Sequence, residues 1–340
     1  MFLKNTWYAA AWDHEVGRSL LQRWIIGQPV VLYRTGAGET VALEDRCPHR
    51  RFALSKGSLI EDQIQCGYHG LTFDHAGKCI RIPGQDNIPP RMRVRTYPVV
   101  ERWRLVWLWM GDPDKADETL IPDFRWNSDP ENWRPVCGTV EMGADYRLLV
   151  DNLLDLTHET FVHKNTIGNF SVAETPMSFK IDPPNVHIER VMRDVPAPPL
   201  FKKVRGFTDN IDRWQIIKFE PPSNIVIDAR AVRTGTNDID QGLRWHVINS
   251  ITPENASSSR YFWSVSRCFE LDDEGIDELL EKQIIATFME DKDVLETQHQ
   301  LIDTDDPNKR EYDINADAGA IAARRIVKDL IAAEQGAPVS

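Results

Sequence analysis

Residues 45–70 read DRCPHRRFALSKGSLIEDQIQCGYHG and set two short ligand pairs into one stretch, Cys47 with His49 and Cys66 with His69. The pattern is C-x-H, sixteen residues, then C-x2-H. Soft and borderline ligands at such spacing hold a metal, and that requirement constrains the fold more than any other feature of the chain. A structural zinc ion is one reading, since zinc takes four cysteine and histidine ligands. Zinc fingers of the usual spacing pair cysteine with cysteine and histidine with histidine. Here each segment offers one of each.

That order suits a cluster with two unlike ends. In a Rieske centre, two thiolates hold one iron of a [2Fe–2S] unit and two imidazoles hold the other, which raises its potential above that of an all-thiolate cluster. Gly67 and Gly70 suit a loop folded closely around sulfide, where side-chain bulk is excluded. The boxes CPHR and CGYHG resemble those of the Rieske iron–sulfur proteins, which implies a cluster on Cys47, His49, Cys66 and His69.

The surrounding texture is β. PVVLYRT (29–35) and TVALED (40–45) flank the turn GAGE, LTFDHAGKCIRIPG repeats the pattern, and RLVWLWMG reads as a buried strand. A proline-bearing stretch at 110–124 then marks a boundary, placing a small antiparallel β-domain at 1–122 and a second domain at 123–340. In the second, DYRLLVDNLLDLTHETFVH (145–163) reads as a helix with Leu149, Leu153 and Leu156 in phase. Strands fill 176–265, and helices are expected over 276–302 and 317–334. The class is α+β, with helices flanking a twisted antiparallel sheet.

A second metal site is suggested by His158 and His163. Five residues apart on a regular helix, they diverge by about 140°, so both reach one ion only if the helix ends or distorts near Thr160–Val162. In 276–302, Leu280, Ile284, Phe288 and Leu295 form an apolar stripe, and Asp291 falls on it; Glu290 and Asp293 read as solvated charges. A core-facing carboxylate needs a cation or donors, and either a metal or a buried arginine would answer. Two histidines and one carboxylate on one face of an iron, with open positions opposite, are the ligand set of non-haem Fe(II) oxygenases.

Along nearly its whole length the chain resembles the oxygenase component of a Rieske non-haem iron aromatic oxygenase, and within those the vanillate and dicamba O-demethylase group. NTWYAAAW, CPHR, CGYHG, VDNLLDLTHETFVH, DRWQIIKFEPPS, ITPE and DAGAIAARRIV carry the resemblance. It implies that His158, His163 and Asp291 ligate a mononuclear iron. It further implies that Asp155 bridges an iron histidine to a cluster histidine of a neighbouring copy in a head-to-tail homotrimer, with Asn152 a polar neighbour of the iron. On a continuous helix Asn152, Asp155 and His158 would share one face. The implied reaction is O2- and NAD(P)H-dependent O-demethylation of a methoxylated, vanillate-like aromatic acid with formaldehyde release. The alternatives are hydroxylation of an aryl methyl group or ring of a related carboxylate or sulfonate, or, from another class, a Rieske electron carrier. Asn224, His246 and Asn249 are the candidate contacts for the substrate's acid group.

No G-x-G-x-x-G follows a strand, since GAGE lies in a hairpin, so a separate NAD(P)H-dependent flavin and ferredoxin reductase is the expected electron donor. With 40 basic and 52 acidic residues the formal charge is −12, which repels a phosphate backbone and argues against nucleic acid. No apolar run reaches the ~18–20 residues of a membrane span, and the opening MFLKNTWYAAAWDHE lacks signal-peptide features, so the cytoplasm is the expected compartment. In that reducing setting Cys79, Cys137 and Cys268 are expected to be buried thiols.

Overall fold

Ten short antiparallel strands open the chain: β1 (Trp7–Trp12), β2 (Leu21–Ile25), β3 (Gln28–Arg34), β4 (Thr40–Glu44), β5 (Ser58–Ile60), β6 (Gln63–Gln65), β7 (Thr72–Phe73), β8 (Cys79–Arg81), β9 (Val99–Arg102) and β10 (Leu105–Trp109). The structure is a computed structural model that describes residues 1–236, 242–306, 309 and 311–336. The ten strands form three sheets, ordered β1-β10-β9, β2-β3-β4 and β5-β6-β7-β8. β3 shows why its sequence is a continuous apolar run. Val30 and Leu32 enter one buried cluster with Ala42, Val106 and Leu108, while Val31 and Tyr33 enter another with Leu43, Leu54, Ile64 and Phe73. Both faces of the pleat are covered, so both select apolar side chains. The GAGE turn closes β3 onto β4, with the Thr35 amide donating to the Glu39 carbonyl at 2.8 Å.

The chain divides into two units, Met1–Ile121 with Thr252–Asn255, and Pro122–Ile251 with Ala256–Ser340. Thr252, Pro253 and Glu254 of the ITPE stretch therefore belong with the first unit. There Thr252 Oγ1 donates to the Ala9 carbonyl at 2.6 Å, and the Ile26 and Gly27 amides donate to Pro253 and Glu254 at 2.7 Å each.

The second unit contains β11 (Arg134–Met142), α1 (Tyr146–Leu154), α2 (Phe170–Glu174), β12 (Ser178–Asp182), β13 (Asn185–Val195), α3 (Pro199–Arg205), β14 (Ile211–Glu220), β15 (Asn224–Arg233), β16 (Leu243–Pro253), β17 (Ser259–Arg267), α4 (Glu274–Thr304) and α5 (Ala318–Glu334). Its seven strands make one antiparallel sheet in the order β11-β17-β16-β15-β14-β13-β12. α4 starts where the Asp273 carboxylate accepts the amides of Gly275 and Ile276, an N-cap. It buries Leu280, Ile284, Phe288, Asp291 and Leu295, the stripe read from the sequence. Phe288 packs edge-on against Tyr261 and Trp263 of β17, at 5.0 and 5.5 Å between ring centroids.

Two local expectations are corrected. The helix read over 145–163 stops at Leu154. Asp155 turns extended (φ −124°, ψ 97°), and a 3-10 turn over Leu156–Thr160 follows. The Asp155 carboxylate caps that turn by accepting the Thr157 amide at 2.9 Å, a local bond that competes with continuing the α-helix. Asn152, Asp155 and His158 therefore do not lie on one continuous helical face. The strands expected over 176–265 are interrupted by α3, which starts at the PAPP segment, with proline at its first turn and Gly206 in the left-handed region at its end.

Candidate metal centres

Two six-residue loops, Cys47–Phe52 and Cys66–Leu71, are built alike. Each cysteine amide donates to the carbonyl five residues on, 2.9 Å for Cys47 to Phe52 and 2.8 Å for Cys66 to Leu71. The amide four residues on donates back to the cysteine carbonyl, at 2.8 Å from Arg51 and 3.0 Å from Gly70. That fifth residue is left-handed in both loops, with φ 59° at Arg51 and 71° at Gly70. A Cβ on Gly67 would stand 2.8 Å from the Lys56 carbonyl. Both glycines thus serve the backbone of the loops themselves. The first loop is tied down by Asp45, buried, whose carboxylate accepts the Ser55 amide and hydroxyl at 2.6 Å each.

Cys47 and Cys66 are buried and hydrogen-bonded to each other, whereas His49 and His69 are exposed with ring centroids 4.6 Å apart. Burial pushes the Cys47 thiol up to about 11, against the backbone amides of His49 and Arg50 and with Cys66 adding to the rise. Such a thiol ionises when a Lewis acid displaces its proton. Four ligands on one zinc would all lie within roughly 4 Å of each other. Among the described residues, the only group of three or more ligands gathered within 4.8 Å is a different one. Thiols at one end and rings at the other fit the unlike ends of a two-iron cluster.

That group is His158, His163 and Asp291. Asp291 Oδ1 lies 3.1 Å from His163 Nε2 and 3.5 Å from His158 Nε2. Two ligand atoms at about 2.1 Å from one ion and at right angles to each other are roughly 3 Å apart, so these separations suit neighbouring positions on one metal. The break at Asp155 makes this possible, because His158 leaves on the 3-10 turn while His163 follows it. Each ring is held at its other nitrogen. His158 Nδ1 donates to the main-chain carbonyl of Asp155 at 2.7 Å, and His163 Nδ1 donates to Glu290 at 2.8 Å. Burial alone would lower the His163 pKa, but its bonds to Asp291 and Glu290 outweigh burial and raise it. Asn152 donates to Asp291 Oδ1 at 3.1 Å, and its own buried carbonyl oxygen meets no donor among the described residues. This donor set fits an iron of the two-histidine, one-carboxylate kind.

A cavity of about 60 Å³ opens beside the three residues. Its wall is largely apolar, with Leu153, Leu156, Ile167, Ile227, Trp245 and Phe288, and its polar members include Glu159, Arg213 and Gln215. None of Asn224, His246 and Asn249 borders it. Asn224 accepts from the Ser250 hydroxyl at 2.7 Å, and Asn249 is held by Tyr261 and the Ile225 carbonyl. His246 points to the other face of the sheet, because its neighbours Trp245 and Val247 are the ones that face the cavity. There it stacks on Trp126 at 3.9 Å and lies 3.5 Å from Asp228.

Sequence reasoning missed Glu290, taken for a solvated charge, and the buried trio Glu159, Arg213 and Gln215. Adjacency to Asp291 was the available signal for the first; nothing local marks the second. Of the three other cysteines, Cys79 is buried, Cys137 half-buried and Cys268 exposed, so the expectation of a buried thiol fails at Cys268. That residue sits just past the end of β17.

Residues 6–98 match the Rieske [2Fe-2S] domain, and residues 142–333 match the vanillate O-demethylase oxygenase C-terminal domain. The chain belongs to the Rieske non-haem iron oxygenases of the vanillate O-demethylase type, oxidoreductases that carry a [2Fe–2S] cluster and a mononuclear iron. It is 38% identical to the toluene-4-sulfonate monooxygenase system iron-sulfur subunit of Comamonas testosteroni, covering 99% of each chain. It is 36% identical to the vanillate O-demethylase oxygenase subunit of a Pseudomonas strain, over 99% of this chain and 97% of that one. The crystal structure of dicamba monooxygenase bound to 3,6-dichlorosalicylic acid superposes with a TM-score of 0.92 at 33% identity, covering 98% of this chain and 99% of that one. The chain's relatives include subunits and oxygenase components of multi-component systems, which implies a separate reductase as partner. Among the described residues, no helix is long and apolar enough to cross a membrane.

Proposed function

We propose that this chain is the terminal oxygenase of a cytoplasmic monooxygenase system that removes the O-methyl group of a methoxylated aromatic acid. The observation that carries this reading is the close His158–His163–Asp291 group beside an apolar-walled cavity. In this reading Cys47, His49, Cys66 and His69 hold the cluster, and His158, His163 and Asp291 hold the mononuclear iron. When bound, the cluster carries single electrons and the mononuclear iron activates dioxygen. The overall reaction consumes O2, NAD(P)H and a proton; it inserts one oxygen into a methyl C–H bond and releases one water. The resulting hemiacetal loses formaldehyde and leaves the phenol.

The chain's own residues orient the site and exclude water from it. The Asp155 carbonyl and the Glu290 carboxylate accept the Nδ1 protons of His158 and His163, which leaves Nε2 of each ring free for metal. Asn152 steadies Asp291. The Asp155 carboxylate, one-fifth exposed and 3.8 Å from Arg190, is free of the ring and is the group assigned here to meet a cluster histidine of the next copy in a head-to-tail trimer. The cavity is smaller than the roughly 150 Å³ that admits benzene, so a ring enters with movement of the wall side chains. Hydroxylation of an aryl methyl group is the second reading, favoured by the 38% identity to the toluene-4-sulfonate system.

Iron and acid-labile sulfide counting on anaerobically purified protein, followed by turnover with a flavin reductase, tests both readings. About three iron and two sulfide per chain are expected, with formaldehyde from vanillate or 4-methoxybenzoate. Zinc without sulfide overturns the assignment of the first site. Benzylic alcohol from toluene-4-sulfonate without formaldehyde from any methoxybenzoate replaces the first reading by the second.

A further inference from the structure

We propose that Arg213 is a specificity-determining residue, whose Nε–H donates to an oxygen of an aryl oxyanion, carboxylate or sulfonate, held in the cavity beside His158, His163 and Asp291. The proposal rests on the aromatic-acid reading above and names the group that enforces it. Arg213 and Gln215 lie two apart on β14 and so share its cavity face. Among the described residues, Arg213 is the only arginine or lysine that borders the cavity.

Its donors are unevenly used. Nη2 donates to Glu159 at 2.8 Å and Nη1 to the Ile167 carbonyl at 3.2 Å. Nε is buried and meets no acceptor among the described residues, and a buried donor is unfavourable until it finds one. The plane of the guanidinium is fixed over the Phe201 ring, 5.0 Å from its centroid. Gln215 holds Glu159 from the other side at 2.8 Å, so the carboxylate that positions Arg213 is itself positioned. This is a rigid, partly used arginine fork in the wall of a largely apolar cavity, as expected of a group awaiting an oxyanion.

Equilibrium binding tests the proposal without turnover: anaerobic, iron-loaded protein with no reductase, titrated by calorimetry and tryptophan fluorescence. The probes are 4-methoxybenzoate, toluene-4-sulfonate and the neutral methyl ester of 4-methoxybenzoate. The variant Arg213→Met with Glu159→Gln removes both members of the buried pair, and Arg213→Lys keeps the charge but loses the Nε–H. An unchanged Rieske spectrum and thermal midpoint qualify each variant; should the double variant fail this, Arg213→Lys alone carries the test. The expected result is a loss of about tenfold or more for the acids, with the ester changed less than about twofold. Equal losses for acid and ester, or no loss for either acid, overturn the role of Arg213 while leaving the acid reading in place. A wild-type protein that prefers the ester, or binds none of the three, overturns the acid reading and the role of Arg213 with it. Loss confined to one acid supports the proposal and names the oxyanion.

Discussion

Replacing Glu290 by alanine removes the acceptor on His163 Nδ1 without touching any proposed ligand atom. In the structure the contact is 2.8 Å, to a ring that is almost wholly buried. A carboxylate behind a ligating histidine fixes its tautomer and raises its basicity, and losing such a partner weakens metal binding by roughly 10- to 100-fold, or about 1.4–2.7 kcal/mol. The Glu290 side chain is 36% exposed, so water screens the contact and the low end applies, about tenfold. The assay is competition for Fe(II) between cluster-loaded protein and a ferrous chelator under nitrogen, with the Rieske absorbance as internal control. Glu290→Gln keeps an acceptor oxygen and is expected to fall between wild type and alanine. Asp293→Ala, on the same helix but exposed, is expected to match wild type. An Fe(II) affinity for Glu290→Ala within twofold of wild type refutes the reasoning.

Asp291→Ala removes the one carboxylate of the triad and is expected to lose about one iron per chain and all turnover, with the Rieske EPR signal unchanged; retained activity takes Asp291 off the iron. Asp155→Asn leaves the main-chain carbonyl that holds His158, so both metals are expected to stay while electron transfer between the centres slows by tenfold or more; unchanged single-turnover rates remove the bridge. Asp151 is pushed up to about 6, chiefly by burial and against the pull of Arg324. A raised carboxylate contributes stability that is fully present below its unfolded pKa near 4 and is lost as pH rises through about 6. Asp151→Asn is therefore expected to be about 2 kcal/mol more stable than wild type at pH 7.5 and nearly equal at pH 4.5. Parallel stability curves for the two proteins across that window would remove burial of Asp151 as the cause.

Much of this protein is legible without its structure where the signal is short in sequence. The candidate cluster loops declare themselves in CPHRRF and CGYHGL, because every proposed ligand and every bond that closes each loop falls within six residues. The buried runs of β3 and β10 and the stripe of α4 follow from periodicity, and the stripe carried Asp291 with it. Where a helix would stop was less legible: Leu156 keeps the apolar phase past Leu154, while a single capping bond from Asp155 ends the helix. Strand alternation tells that neighbours on β16 face opposite ways, but not which face meets the cavity; Trp245 and Val247 border it and His246 does not.

What the sequence by itself determined is the chemistry: four ligands suited to a cluster, two histidines and a core-facing aspartate suited to an iron. Their identities and spacings suffice for that, because ligand preference belongs to the side chain. What the tertiary structure decided is the arrangement. It turned His158 and His163 toward one point, brought Glu290 across to His163, and set Arg213 against Glu159 in the cavity wall, pairs separated by 127 and 54 residues. Contacts of that range are fixed by which strands pair and which helix covers them, and no local pattern encodes that choice.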